Sequence, residues 1–311
     1  MFKNESMILK EWLDHNISVG VQHFYLIDNG STDNYLRILK PYMRKGYISL
    51  VIDPSRWKYG EESKEQSSPY FDSKQKKLIV AKDICDNTQT LLMNRHYLGL
   101  IKQTAKWVLV IDQDEYVFSP MGKLTDILQI VPDSCTDIWI PWRIFGSGGH
   151  DTQPKSIRKG FLHVRPFSIQ NHGNRAKAKS ITRVSSIINI DIHICHVYHR
   201  NTMTPDGRLN GNMVELAVAA CLKQFKYNIH TNLFFCNHYS TMSNEYFNKS
   251  KSARGGGAHE NRPWSKYWNQ QNRGCNTIDT LILTATGIVN KKDITGLIKE
   301  AQKIKSSETI P

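Results

Sequence analysis

Cysteine is scarce in this chain: six in 311 residues, at Cys85, Cys135, Cys195, Cys221, Cys236 and Cys275, with no Cys-x-x-Cys pair among them. That spread argues against a thiol-built zinc site and against a disulfide framework, and fits reduced thiols. No apolar run approaches the roughly 18 residues that a membrane span needs. The opening MFKNES is charged almost at once, unlike a secretory leader. Internal repeats and a convincing linker are also missing. Acids are outnumbered, 28 Asp and Glu against 41 Lys and Arg, for a formal charge of +13. Such an excess suits nucleic acid, an anionic surface or a phosphorylated small molecule. Helix-turn-helix, RNA-recognition and zinc-finger signatures are absent, so nucleic acid is not the expected partner. A basic nucleic-acid-binding protein, carried by residues 158–183 and 262–268, stays as the alternative.

What the chain does have is 40% hydrophobic residues, enough to pack a core. Glu5–Val19 carries Ile8, Leu9, Trp12 and Leu13 at helical spacing, with Gly20 as a C-terminal cap. Gln22–Asp28 reads as a strand, Tyr35–Met43 as a helix and Tyr47–Asp53 as a second strand. This alternation predicts an α/β fold with a mostly parallel sheet. Residues 54–76 are polar, with Pro54, Gly60 and Pro69, and read as a long loop. A helical pattern runs from Lys77 to Thr104, broken near Asp86–Thr88. Trp107–Ile111 and Thr136–Arg143 are predicted strands, and short β-like runs fill Phe161–Tyr198. Glu215–Phe225, Ser243–Ser252 and the segment from Thr280 onward are predicted to be helical.

The strand Trp107–Ile111 runs directly into Asp112, Asp114 and Glu115. In open α/β sheets, ligands bind at the carboxyl ends of strands. Carboxylates crowded there repel unless a cation lies among them. Mg²⁺ and Mn²⁺ prefer oxygen ligands and commonly share them with substrate phosphates. The Asp-x-Asp therefore points to a metal clamp on a diphosphate, weighed against a solvated turn. Asp28 ends an earlier strand in the same way and is expected either to hold a nucleoside or to make a helix N-cap or Asx-turn, a purpose Asp33 could serve better.

Four blocks lie in order along the chain. The first is Lys3–Asn34, with KNES and LKEWLDHNISVGVQHFYLIDNGSTDN. WVLVIDQDEYVF and WRIFGSGGH (Trp142–His150) follow. The last is NHYSTMSNEYF with a Lys-x-x-Arg-Gly ending (Asn237–Gly255). Together they resemble the glycosyltransferase family 92 proteins and their viral and bacterial relatives. The resemblance implies a GT-A-type fold, a Rossmann-like mixed sheet flanked by helices, in a single domain. Its nucleotide-sugar-binding half would span about residues 1–118, and a more irregular acceptor-side half residues 119–311. Two departures stand out. The strand that the family carries ahead of Lys3 is almost absent, so a trimmed or very short first strand is expected. The Lys251–Gly255 spacing is offset by about one residue after Phe247, so Lys251 is not carried into the expected site.

The expected activity is metal-dependent, inverting sugar transfer from a nucleotide-diphosphate donor, taken as a UDP-sugar, to a glycan or other hydroxyl acceptor. Lys3, Asn4, Glu5, Asp28, Asp112 and Lys179 are the expected nucleotide-sugar residues. Asp112, Asp114, His196 and His238 are the expected ligands of Mn²⁺ or Mg²⁺. Lys179 belongs to the basic run Arg158, Lys159, Arg165, Arg175, Lys177, Lys179 and Arg183, which reads as phosphate-facing or as a solvated face. A base must take the acceptor proton, and Asp151 and Glu245 both qualify. The Gly-rich FGSGGH either lets backbone approach the ligand or is an ordinary loop. Arg262–Trp268 offers rings for a sugar or for a core. A GT-A fold that binds glycan without catalysis is a further alternative. The expected setting is cytoplasmic, or host cytoplasm or virion for a viral source.

Overall fold

The computed structural model describes residues 1–54, 70–72, 77–79, 88–166, 178–204, 207–209, 212–213, 233–253, 263–289 and 291–306. Helix α1 spans Ser6–Ser18 and buries Ile8, Leu9, Trp12 and Leu13, the stripe that its periodicity predicts. Just beyond it Gly20 takes a φ of +104°, and a Cβ there would meet Thr125 Oγ1 at 2.8 Å, so only glycine fits this turn. Strand β1 (Phe24–Asp28), helix α2 (Tyr35–Arg44) and strand β2 (Ile48–Ile52) follow as expected. β1 and β2 pair in parallel from Phe24↔Ile48 to Asp28↔Ile52. Ahead of β1, Phe2 makes an isolated parallel bridge to Asp28, with its N–H on Ile27 O at 2.8 Å.

Two expectations are corrected here. Tyr70–Asp72 (β3) and Lys77–Ile79 (β4) form an antiparallel pair where a loop and a helix onset are predicted. Tyr, Phe and Ile favour pleated backbone, and the strand register of the two segments overrides the helical spacing. Among the described residues, helix runs from Thr88 to Met93, through a π-turn, Asn94–Leu98, to Gly99–Thr104; the rest of the expected helix, residues 80–87, lies outside the described residues. The predicted helix Glu215–Phe225 lies outside the described residues.

The second sheet is built from strands far apart in sequence. β5 is Trp107–Leu109, shorter than its apolar run, and β6 is Glu115–Phe118, which begins on the third acid. β7 (Asp137–Ile144) is central. β8 (His163–Val164) lies apart from it, followed by β9 (Ala178–Arg183), β10 (Ile187–Asn189) and β11 (His196–Val197). β12 (Thr202–Met203), β13 (Arg208–Leu209) and β14 (Asn212–Met213) form a small extension. β15 (Phe235–His238) and β16 (Thr277–Ile278) complete the described strands. The order across β7 is β5, β9, β7, β15, β6. β5 and β6 thus lie at opposite ends of the pairing, yet Val110–Asp114 alone joins them. The sheet must curl to allow this, and the acids fall on the seam where its ends meet. The result is a mixed α/β fold, a curled mixed sheet flanked by helices, in keeping with the GT-A expectation.

Helix α1 packs on β6. Trp12 Nε1 donates to Glu115 O at 3.1 Å, and His15 Nε2 bonds Val117 O at 2.8 Å. Cys135, Cys195, Cys236 and Cys275 are free and buried. No helix among the described residues is long and apolar enough to cross a membrane.

Candidate active site

Strand register assembles the seam. His238 pairs with Glu115, and Cys236 with Val117. Cys236 also pairs with Trp142, and Lys179 pairs with Ile140 on the far side of β7. Side chains alternate along strands, so Glu115, His238, Trp142 and Lys179 share one face. The Trp142 ring lies 4.4 Å from the His238 ring, centroid to centroid, and 5.4 Å from that of His193.

Lys179 is fully buried. Its ammonium reaches Ile192 O at 2.6 Å, Glu115 Oε2 at 3.2 Å and Asp112 Oδ2 at 3.3 Å. An ammonium has three protons, and three protein acceptors match them. Lys179 therefore orders the acids from beneath and is not part of a solvated face. Glu115 is fully buried and also accepts the Asp112 N–H at 2.9 Å. Burial pushes its carboxyl up to about 7, with Lys179 opposing and Asp112 and Asp114 adding to the rise.

The other two acids differ in access. The Asp112 side chain is 42% exposed, whereas that of Asp114 is 6% exposed. Asp114 Oδ2 takes the Lys251 ammonium in a short ion pair and lies 3.6 Å from His238 Nε2. Burial alone would raise the Asp114 carboxyl, but Lys251 and His238 outweigh it and hold the group well below the usual range. Its backbone oxygen accepts the Tyr239 N–H at 2.8 Å, which fixes the turn to the end of β15.

Lys251 is the residue that sequence spacing leaves out. It lies in a π-helical turn, Phe247–Ser252, which follows the single α-turn Asn244–Tyr246. A π-turn takes one residue more than an α-turn, which absorbs the one-residue offset after Phe247. His193 is the second omission. His196 pairs instead with Asp191 at 3.6 Å and is 41% exposed. Of the expected metal histidines, His238 reaches the acids and His196 does not.

Asn4, Glu5 and Asp28, expected on the nucleotide side, have partners within the protein. Asp28 is buried; its Oδ1 accepts the Ser31 N–H at 2.9 Å and its Oδ2 the Tyr35 hydroxyl at 2.8 Å. The Ser31 bond, three residues on, is the spacing of a side-chain cap, and both oxygens have partners within the protein. Asp33 caps α1 from outside, accepting the Ser6 N–H at 2.7 Å. Asn4 adopts a φ of +54° and ties Ser31 and Thr32 to the chain start. Glu5 is buried and accepts the Tyr246 hydroxyl at 2.7 Å. Lys3 is half-buried beside them.

The two candidate bases lie together but differ. Glu245 accepts the Gln153 N–H at 2.9 Å and the Lys249 ammonium at 2.8 Å, and these bonds lower its pKa. A carboxylate so engaged is a weak base. Asp151 is exposed and accepts from Asn244 Nδ2 at 2.8 Å. In the Gly-rich loop, Ser147 N–H bonds Asn272 Oδ1 at 2.6 Å. A Cβ on Gly148 would meet His163 Nδ1 at 2.8 Å. These glycines serve close packing within the protein, the ordinary-loop alternative.

Among the described residues, Arg158, Arg165, Lys179 and Arg183 of the basic run are held by protein partners. Arg158 pairs with Glu11, Arg165 bonds carbonyls of Gln270 and Arg273, and Arg183 caps Cys135 O beneath the Trp107 ring. Arg175 and Lys177 lie outside the described residues. Trp264, Tyr267 and Trp268 cluster round Phe247.

Among the described residues, no three His, Cys, Asp or Glu side chains converge to hold an ion by themselves. Mg²⁺ commonly needs only one or two protein carboxylates beside substrate phosphates. Asp114 with His238, and Asp112 open to solvent, supply such a partial donor set. The residues therefore fit a cation that arrives with a diphosphate.

The family profile described as Glycosyltransferase family 92 matches residues 1–284. No curated protein matches the chain.

Proposed function

Since the chain belongs to glycosyltransferase family 92 and is a glycosyltransferase, we propose that it works at the seam between β5 and β6. The donor is a nucleotide-diphosphate sugar, UDP-linked, and the acceptor a glycan or other hydroxyl compound, with inversion. Asp112, Asp114 and His238 would hold Mn²⁺ or Mg²⁺ against the diphosphate. That ion, when bound, neutralises charge on the leaving group. Lys179 and Glu115 keep the Asp112–Asp114 turn in place. Asp151 takes the proton from the acceptor hydroxyl as its oxygen bonds to the anomeric carbon, and the bond from that carbon to the diphosphate oxygen breaks.

One observation carries this reading. Asp114 is buried yet held ionised by Lys251 and His238, next to a carboxylate that faces solvent. Such a pair is poised for a cation. A thermal-shift screen of nucleotide sugars with and without Mn²⁺ tests the donor and the metal together. Asp114→Asn should abolish transfer and metal-dependent nucleotide binding while leaving the fold intact. Full transfer by that variant, or in excess chelator, would refute the mechanism.

A further inference from the structure

The proposed reaction leaves Lys251 without a task, although its ammonium pairs with Asp114 at the seam. Its ammonium bonds the same Asp114 oxygen that faces His238 Nε2 at 3.6 Å. An ion shared by Asp114 and His238 would compete with the ammonium for that oxygen. Two cations cannot crowd one carboxylate oxygen in a buried setting without strong repulsion.

The surroundings allow Lys251 to give way. The segment that carries it is pinned upstream, through the Tyr246 hydroxyl to Glu5 at 2.7 Å and Ser250 Oγ to Asn4 O at 3.1 Å. Lys251 lies beyond both anchors, on a flexible four-carbon stem, and its side chain is 12% exposed. π-turns such as Phe247–Ser252 are frequent at functional positions and aim a side chain that a regular helix would turn elsewhere. Asp112 has its own cation in Lys179, so Lys251 is matched to Asp114.

We propose that Lys251 is the resident counter-ion of Asp114 and exchanges with the divalent cation. Before the donor arrives, the ammonium keeps Asp114 ionised and correctly placed. When a cation and diphosphate enter, Lys251 gives up Oδ2 and turns its donors to the diphosphate. This assignment rests on the metal reading above and adds a specific exchange to it.

The test is a titration of Mn²⁺ alone, followed by the electron-spin signal of the free ion, on the full chain and on Lys251→Met. Without its competitor, the variant should bind Mn²⁺ about tenfold more tightly, the scale on which groups just outside a metal's ligands act. With Mn²⁺ present it should bind UDP more weakly than the unmodified chain. Equal or weaker Mn²⁺ affinity in a folded variant overturns the exchange while leaving the metal reading standing. Absence of Mn²⁺ binding by either protein, with or without UDP, overturns both. Should Lys251→Met fail to fold, lysine acylation of the unmodified chain, read by mass spectrometry, decides the question. Mg²⁺ alone should raise the Lys251 labelling rate severalfold, and adding UDP should lower it again; a rate indifferent to Mg²⁺ overturns the proposal.

Discussion

Tyr246 donates its hydroxyl to Glu5 at 2.7 Å, although 241 residues separate them. Both are buried, and the Glu5 carbonyl also starts α1 by accepting from Ile8 and Leu9 N–H, each at 3.0 Å. One bond therefore joins the first helix to the segment that carries Lys251. Tyr246→Phe removes a donor from a buried carboxylate and should cost about 1–3 kcal/mol. Urea denaturation measures it. Tyr42→Phe is the control: its hydroxyl bonds Asp14 at 2.5 Å, but the Asp14 side chain is 44% exposed, so water can replace the donor and the loss should be smaller.

The parts of the fold legible in the sequence are those with local periodicity. α1, β1, α2 and β2 form where apolar spacing and turn residues agree. β6 is not legible, because Glu115 reads as the last of three acids crowded beyond a strand end and not as the first residue of a new strand. Its burial depends on Lys179 and His238, which arrive from β9 and β15. The site divides in the same way. The Asp-x-Asp is visible because it ends an apolar run, whereas Lys251 is hidden because its register depends on a π-turn. Asp28 stays ambiguous in the sequence because a ligand-facing strand-end acid and a capping acid look alike; its bonds from Ser31 and Tyr35 appear only in the fold.

Lys179 and Glu115 should behave as a unit. Lys179→Met leaves Glu115 and Asp112 without their shared ammonium, and removing one partner of a buried pair costs about 3–5 kcal/mol. Glu115→Gln in the same chain should recover most of that loss, since the amide needs no counter-charge. A double-mutant cycle in urea checks it. Additive losses would show that the two residues act independently.

Asp151 and Glu245 should separate in kinetics. If Asp151 accepts the acceptor proton, Asp151→Asn should lower kcat about 10²–10⁴-fold, the usual span for losing a general base, with little change in KM for the donor. Glu245→Gln should leave kcat nearly unchanged, because its oxygens serve the Gln153 N–H and the Lys249 ammonium. The reverse pattern would move the base to Glu245.

His15 should make stability fall in acid. It is fully buried, its Nε2 bonds Val117 O at 2.8 Å, and Arg158 Nη1 lies 3.1 Å from Nδ1. Burial, then the Arg158 charge, lower its pKa from 6.5 to about 3, with the Val117 bond opposing. Between those two values the unfolded chain takes a proton on His15 and the folded chain does not. Stability is therefore full above 6.5 and declines toward 3, by up to about 1.4 kcal/mol per pH unit from this group. His15→Gln can keep a donor for Val117 O and an acceptor for Arg158, but cannot titrate. Its urea midpoint should vary less than that of the unmodified chain between about pH 6 and pH 4. Parallel curves would mean that other groups carry the acid sensitivity.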